Sequence, residues 1–263
     1  MRNSLRFRQF ATGFCLSKSS WNFRSNDPNF AVETGLSRKR AANLRIFLAF
    51  QLRFGCGYAA AAVTETPLNV LAVVGSLHRD SVTRTVVQYV AKELQQSGCA
   101  VDILDFEREP LGLYNPDTAH DLPGYAELQQ RVEQADLVVL GTPDYHGCIS
   151  GAMKNFLDHF WHEFAGKLFA TIVASHEKGL TVTDQLRTVA RQCYAWSLPY
   201  GVSFSEDADV NGGQIGEGLR KRLQMMVRDA RIYGHVLGQQ RRADLAGDEP
   251  GFLAKHRGRH KTA

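Results

Sequence analysis

A short polar stretch between two apolar runs carries the side chains with the clearest chemistry. It holds three hydroxyl and two guanidinium groups, those of Ser76, Ser81, Thr83, Arg79 and Arg84. The apolar run at 70–74 predicts a strand, and the spaced valines from Val82 onward predict a helix. Unpaired N–H groups and the positive end of a helix dipole attract anions at a helix N-terminus. The stretch therefore predicts a phosphate-binding loop; the alternative is an ordinary strand-to-helix turn capped by Ser81.

This loop matches neither of the two common nucleotide-binding motifs. It lacks the Gly-Lys-Ser/Thr ending of a P-loop and the G-x-G-x-x-G of a dinucleotide-binding turn. Short motifs of this kind also arise by chance, so the interpretation needs support from elsewhere in the chain.

A second polar loop follows the apolar run at 137–140 and begins Gly-Thr-Pro-Asp-Tyr-His-Gly. Pro143 is expected to end the strand, and Gly147 and Gly151 allow the backbone to approach a flat ligand closely. In a doubly wound sheet, ligands bind beyond the carboxyl ends of the strands, at the switch point between strands one and three. The two loops are therefore expected to form one site.

The elements that position these loops alternate regularly from Pro67 onward. Strands are predicted at 70–74, 101–106, 137–140, 168–174 and 198–204. Helices are predicted at 82–97, 121–134, 149–164, 180–196 and 216–238. Gly98 is expected to stop the first helix, and Pro123 to open the second. The alternation indicates an α/β fold: a flavodoxin-like, doubly wound sheet of five parallel strands in the order 2-1-3-4-5, with helices on both faces.

Composition restricts the classes of function. Hydrophobic residues make up 44% and charged residues 22% of the 263-residue chain, as in ordinary globular proteins. Residues 1–66 hold ten Lys and Arg against three Asp and Glu, whereas the rest holds 21 against 24. A mildly acidic folded part argues against a nucleic-acid-binding protein. The five cysteines are scattered without a C-x-x-C pair, which favours free thiols in a reducing compartment.

One further spacing could hold a metal ion. His159 and His162 are three residues apart in a predicted helix, with Asp158 and Glu163 beside them. A third ligand is not evident, and three aromatic residues alternate with the histidines. Packing or a subunit contact is the favoured interpretation, and no metal is predicted.

The sequence predicts three regions. Residues 1–66 are Arg- and Ser-rich and poor in acid, which predicts a disordered extension, either an organellar transit peptide or a mispredicted start. Residues 67–239 form the α/β domain, and 240–263 a flexible basic tail. The apolar part at 46–63 is interrupted by Arg53, so no membrane association is expected. A cytoplasmic location is predicted, with an organelle as the alternative.

Together, the two loops resemble a known family. Gly-Ser-Leu-x-x-x-Ser-x-Thr-Arg, followed by Pro-Asp-Tyr-His-Gly-x-x-x-Gly-x-x-Lys-Asn-x-x-Asp, is similar to the NAD(P)H-dependent FMN reductases, which include flavin, quinone, azo-dye and chromate reductases. The resemblance extends over 68–237. It implies FMN as the cofactor, NAD(P)H as co-substrate and a small-molecule electron acceptor.

The resemblance also implies roles for individual residues. Four would hold the FMN phosphate: Ser76, Arg79, Ser81 and Thr83. Five would lie along the isoalloxazine ring: Pro143, Asp144, Tyr145, His146 and Gly147. Three would open the next helix and anchor the loop: Lys154, Asn155 and Asp158. Because the cofactor carries the reaction, no catalytic residue is assigned, although His146 or His176 could donate a proton to an acceptor.

Three positions depart from the family's usual pattern. His78 stands where the family usually has arginine, so either Arg79 replaces that arginine or the phosphate is held more weakly and in a pH-dependent way. Asp144 replaces the usual glutamate. The turn over 174–179 reads Ala-Ser-His-Glu-Lys-Gly in place of a glycine-rich turn. The residues expected to bind the cofactor also include His78, Ser175 and His176.

The favoured function is hydride transfer from NAD(P)H to FMN and then to free flavin, a quinone, an azo compound or a metal oxyanion. Two alternatives are an electron carrier of the flavodoxin type and an inactive regulatory protein with the flavin fold. Carriers usually have a Thr/Ser-Gly-Thr phosphate loop and a strongly acidic surface, and neither is present. The resemblance further implies a homodimer or homotetramer.

Overall fold

The computed structural model describes residues 67–258, and its centre is a parallel sheet. The strands are β1 (Asn69–Val74), β2 (Ala100–Asp105), β3 (Leu137–Tyr145), β4 (Cys148–Ile149), β5 (Leu168–Ala174), β6 (Trp196–Ser197) and β7 (Val202–Phe204). The order across the sheet is β2-β1-β3-β5, with β6 and β7 both paired to β5. The short β4 pairs with β3 in the antiparallel sense. The predicted order 2-1-3-4-5 is confirmed, with β6 and β7 together forming the fifth strand.

Helices cover both faces of the sheet. They are α1 (Val82–Gln96), α2 (Tyr125–Gln134), α3 (Gly151–His159), α4 (Leu180–Gln192), α5 (Glu206–Asp209) and α6 (Glu217–Ala246). A small antiparallel ribbon, β8 (Val210–Asn211) and β9 (Gln214–Ile215), precedes α6. Val70 and Ala72 of β1 pack with α1 and α6, whereas Leu71 and Val73 pack in the opposite core with α2, α3 and α4. Successive residues of one strand therefore enter two cores, as the near-continuous apolar runs predict.

A proline and a glycine account for two differences from the predicted elements. The fifth strand is interrupted between β6 and β7, because Pro199 has no N–H to donate to a ladder. The second helix begins at Tyr125 rather than 121. Its N-cap is Gly124, with a φ of +78°, so Pro123 precedes the helix instead of opening it.

Several helix ends also differ from the predicted ones. α3 ends at His159 rather than 164, and α4 at Gln192 rather than 196. α6 continues to Ala246, so the domain boundary predicted at 239 falls inside a helix. Gly98 follows α1 with a φ of +87°, a left-handed conformation typical of a helix stop, as predicted.

The segment after α6 packs against the domain. Leu253 and His256 are buried, and Arg241 near the end of α6 donates to the Ala165 carbonyl oxygen over 2.8 Å. The described part of the predicted tail is therefore in contact with the folded core. The extension predicted at 1–66 and the last five residues lie outside the described residues.

Between residues 67 and 258, none of the helices combines the length and apolarity needed to cross a bilayer. Within the same range, no three His, Cys, Asp or Glu side chains are grouped so that they could hold a metal ion. His159 Nδ1 is 2.8 Å from the Asn155 carbonyl oxygen, and the His162 ring stacks on Trp161. Both histidines therefore take part in local packing.

Candidate functional site

A cavity of about 330 Å³ opens at the carboxyl ends of β1, β3 and β5, and its size is in the range of small-molecule sites. It is lined by nine of the twelve expected residues: Ser76, His78, Ser81, Thr83, Pro143, Asp144, Tyr145, Ser175 and His176. His146 and Gly147 line a neighbouring cavity of about 820 Å³. The two cavities share Asp144, Ser175 and His176. The structure thus brings the two polar loops and the turn after β5 into one place.

The N-terminus of α1 forms one end of the first cavity. Ser81 is the N-cap, and its hydroxyl oxygen accepts a hydrogen bond from the Arg84 N–H over 3.3 Å. The buried Ser76 hydroxyl oxygen accepts from the His78 N–H, also over 3.3 Å. Because the first N–H groups of a helix have no acceptor inside the helix, those beside the cap remain available to a bound anion.

Arg84 lies behind this loop rather than in the cavity. Its side chain is 8% exposed, and it binds Asp105 through Nε to Oδ2 at 2.5 Å and Nη2 to Oδ1 at 3.1 Å. Nη1 donates to the carbonyl oxygens of His78 and Arg79 over 2.9 and 2.6 Å. The hydrogen bond to Asp105 raises the pKa of Arg84. Arg84 therefore holds the loop from within the protein, which corrects the expectation that it lines a phosphate pocket.

The charged lining of the cavity differs from the one expected. Arg79 is exposed and does not line it, whereas His78 and Asp80 do. Glu206, the first residue of α5, also lines the cavity. Asp80 occupies an unspecified position of the first motif and Glu206 belongs to no motif, so only the three-dimensional packing shows that both carboxylates line the cavity.

Pro143 does not end its strand as expected. β3 continues to Tyr145 and turns back into β4. β1 pairs with β3 only as far as Gly141, so the proline interrupts no ladder on that side. His146 and Gly147 have φ values of +59° and +75°, as in a two-residue hairpin turn with both φ positive. The second polar loop is therefore a tight hairpin at the rim of the cavity.

Asp144 joins this hairpin to the turn after β5. Its Oδ1 accepts from the Gly147 N–H over 2.8 Å, and its Oδ2 accepts from the Ser175 hydroxyl over 2.8 Å. The Ser175 hydroxyl oxygen in turn accepts from the Glu177 N–H over 3.1 Å. Both carboxylate oxygens of Asp144 therefore position the walls of the cavity.

Ser150 joins the two polar loops to each other. Its hydroxyl donates to the Gly75 carbonyl oxygen over 2.5 Å, and its N–H donates to Thr142 Oγ1 over 3.0 Å. The Gly75 N–H donates to the Gly141 carbonyl oxygen over 2.7 Å. A Cβ at Gly75 would lie 2.9 Å from that oxygen, so the junction requires glycine.

Gln185 of α4 is a supporting residue that the motifs do not indicate. Its Nε2 donates to the Gly147 carbonyl oxygen, and its Oε1 accepts from the Ile149 N–H, each over 3.1 Å. The side chain thus forms the hydrogen bonds that the backbone of a neighbouring strand would otherwise form with the hairpin. In the sequence, Gln185 stands out only as one polar residue in the amphipathic pattern of a helix.

The three residues expected to anchor the second loop act elsewhere. Lys154 and Asp158 form an exposed i, i+4 ion pair on α3. Asn155 accepts from the Tyr114 N–H over 2.7 Å and donates to the Gly112 carbonyl oxygen over 2.9 Å. Asn155 therefore anchors the segment between β2 and α2 rather than the hairpin.

Comparison with known proteins agrees with this architecture. Residues 68–209 match the family described as NADPH-dependent FMN reductase. An NADPH azoreductase of Bacillus sp. (strain OY1-2) is 28% identical over 173 residues, which are 64% of this chain and 94% of that protein. An FMN-dependent NADPH-azoreductase of Staphylococcus haemolyticus is 28% identical over 147 residues, 53% of this chain and 77% of that protein.

Solved structures are similar in fold. An NADH:FMN oxidoreductase in its apo form superimposes with a TM-score of 0.54 at 17% identity, covering 63% of this chain and 89% of that one. A flavoenzyme NAD(P)H:acceptor oxidoreductase of Paracoccus denitrificans has a TM-score of 0.52 at 21% identity, covering 66% and 98%. Because the family pattern matches more than half of the sequence, this chain belongs to the NADPH-dependent FMN reductases.

Proposed function

We propose that this chain reduces a small acceptor with electrons from NAD(P)H by means of FMN bound in the cavity at the ends of β1, β3 and β5. The observation that carries the proposal is the junction of a helix N-terminus with the rigid hairpin 145–148. One end supplies N–H and hydroxyl groups for an anion, and the other supplies a closely approachable backbone for a flat ring.

The residues present fit FMN. The hydroxyl groups of Ser76, Ser81 and Thr83 line the cavity beside the α1 N-terminus, where a phosphate would bind. Pro143 and Tyr145 line it on the hairpin side, where the isoalloxazine ring would bind. When bound, FMN supplies the ability to accept a hydride and to pass electrons onward.

The protein's own contribution is to position the cofactor and to leave one side accessible. Asp144 and Gln185 fix the hairpin through hydrogen bonds to its backbone, and the Ser150 hydroxyl binds the Gly75 carbonyl oxygen of the first polar loop, so these side chains support the site and none is assigned a role in proton transfer. The neighbouring cavity of about 820 Å³ shares a wall with the first and offers room for a second reactant. We infer that NAD(P)H and the acceptor use this space in turn.

The two relatives named as azoreductases make an azo compound the first acceptor to examine. The chain would be titrated with FMN and then mixed with NADPH under nitrogen, and the absorbance of the flavin would be followed. We expect the flavin bands to bleach on NADPH addition and to return when an azo dye is added. Bound flavin that is reduced by neither NADPH nor NADH would contradict the reductase function and favour an electron carrier.

We also infer that copies of the chain associate. Leu77 and Leu113 are 61% and 84% exposed and both line an apolar groove beside the first cavity. Exposed apolar surface of this kind is typical of interaction sites. Sedimentation should give a dimer or tetramer, and a monomer that binds FMN would refute association.

Replacing Gln185 by leucine should loosen the hairpin. Two hydrogen bonds to its backbone are lost, each worth about 1 kcal/mol, so we expect FMN affinity to fall roughly tenfold. Flavin fluorescence quenching would measure the dissociation constant. Gln192→Leu, at an exposed position at the end of the same helix, is the matched control. Equal affinities for the two variants would show that Gln185 does not support the site.

A further inference from the structure

Helix α6 has a line of apolar residues on the side that faces away from the domain. Its other side packs in the core that it shares with β1 and α1. Met225, Ile232 and Val236 are 49%, 37% and 59% exposed, and Ala243 is exposed as well. These four residues, here called the outer stripe, lie on one line along the helix because of their spacing.

The spacing of the outer stripe is typical of a seam between two helices. Its members are seven, four and seven residues apart, as in the a and d positions of a coiled coil. α6 is 30 residues long, which corresponds to about 45 Å. Single exposed apolar residues are ordinary on a protein surface, but a repeat along one line of a long helix indicates a contact with another helix.

The charges of α6 differ between its two ends. Residues 217–222 hold three basic residues and one acidic residue, whereas residues 244–249 hold three acidic residues and no basic one. Carboxylates near a helix C-terminus oppose the helix dipole. Because the two ends are opposite in charge, the acidic end of one α6 is complementary to the basic end of a second, antiparallel α6.

Contacts within the chain meet only part of this charge. Arg257 donates to the carbonyl oxygens of Asp244 and Glu249, so one guanidinium lies at an end with three carboxylates. At the basic end, Lys221 pairs with Glu217 over 2.7 Å, and both side chains are largely exposed. The acidic end therefore keeps a net negative charge that is accessible to a neighbouring molecule.

Lys221 is the basic residue that a neighbour can reach most directly. Arg220 and Arg222 bind groups of their own chain, the Ile215 carbonyl oxygen and the Asp209 carboxylate. Lys221 lies four residues before Met225, on the line of the outer stripe. It is therefore placed to continue a contact that the stripe begins.

We propose that a second copy of this chain covers the outer stripe with its own α6, antiparallel to the first. A two-fold axis beside Gly234 makes this contact isologous. In this arrangement Ile232 lies opposite the partner's Val236, and Met225 lies opposite the partner's Ala243. Lys221 then lies beside the partner's Asp248, so apolar groups meet apolar groups and opposite charges meet at both ends.

This contact is separate from the apolar groove that contains Leu77 and Leu113. α6 belongs to the helical layer of α1, whereas the groove includes Gly151 and Ala152 of α3, which lies on the opposite face of the sheet. The outer stripe lines neither cavity of the candidate site. The inference therefore does not depend on FMN binding.

Sedimentation equilibrium of the full chain tests the contact. Ile232→Glu places two carboxylates in it and should halve the mass of the assembly. Each copy loses the burial of an isoleucine, so the dissociation constant should rise at least about a hundredfold. Val236→Glu, at the more exposed position, should do the same. Gln95→Glu, which makes the same charge change at an exposed position of α1, is the matched control and should leave the mass unchanged.

Charge reversal tests the antiparallel orientation. Lys221→Glu should raise the dissociation constant about tenfold, since two symmetry-related ion pairs are lost. Asp248→Lys combined with Glu249→Lys should have a similar effect. The variant with all three changes restores opposite charges at both ends and should associate as the wild type. Circular dichroism of each variant would verify that it is folded.

Four results would overturn the inference. A monomeric wild type would leave the outer stripe to a different protein or to a lipid surface. The mass could be unchanged in both Ile232→Glu and Val236→Glu, or Gln95→Glu could lower it equally. The losses from charge reversal could add rather than cancel. FMN titration keeps the two proposals apart: an assembly that depends on Ile232 but binds no FMN would refute only the proposed function.

Discussion

Arg84→Met should lower the free energy of unfolding by about 3 kcal/mol, because it leaves a buried carboxylate without its main partner. Asp105 is 4% exposed and receives two hydrogen bonds from the Arg84 guanidinium. Methionine fills similar space but cannot neutralise that charge. Urea unfolding followed by circular dichroism would give the change in free energy.

The same substitution should also weaken FMN binding, for a reason separate from the loss of stability. Arg84 also donates to the carbonyl oxygens of His78 and Arg79, so the loop before α1 loses its internal support. We expect FMN affinity to fall more than tenfold, since a misplaced loop no longer presents its N–H groups together.

Adding Asp105→Asn to Arg84→Met separates the two effects. The double variant no longer buries an unpaired charge, so much of the lost stability should return. The carbonyl oxygens of the loop still lack their donor, so FMN affinity should stay low. Wild-type stability of the single variant, or full recovery of FMN binding in the double variant, would contradict this account of Arg84.

The fold could be predicted because each strand and helix has its own local pattern of apolar and polar residues. Alternating apolar strands and amphipathic helices lead directly to a parallel sheet with two helical layers. The boundaries that differ depend on details of the backbone. Pro199 interrupts the fifth strand and Gly124 delays the second helix, whereas Pro143 sits in a strand because β1 no longer pairs there. Whether a proline breaks a strand therefore depends on its neighbours in the sheet.

The two polar loops of the candidate site were also predictable, since they follow strands one and three of a doubly wound sheet. What supports them was not. The partners of Arg84 and Gln185 are Asp105 and Gly147, which lie 21 and 38 positions away in the sequence. A motif shows that an arginine is near a loop, but only the packing shows whether it faces the ligand or the interior.

Gly141 lies in the sheet beneath the site, where no side chain fits. Gly141→Ala should lower the free energy of unfolding by about 3 kcal/mol, because the added methyl group would overpack the core. Gly141 lies in the centre of the sheet, paired with Val74 and Ile172. A Cβ there would overlap Cγ2 of Val87 on α1 and would lie 3.3 Å from the Val73 carbonyl oxygen. Val87 is fully buried and β-branched, so it cannot turn away.

Displacing α1 from β3 should also disturb the site, because the Gly141 carbonyl oxygen receives the Gly75 N–H at the start of the phosphate loop. Val87→Ala removes the overlapping methyl group and should by itself cost about 1–2 kcal/mol. In the Gly141→Ala background it should instead restore stability, so the two changes are not additive. Gly151→Ala is the matched control, since a Cβ there has no neighbour within 4 Å. Additive losses in the double variant would show that the contact between α1 and β3 does not limit this position.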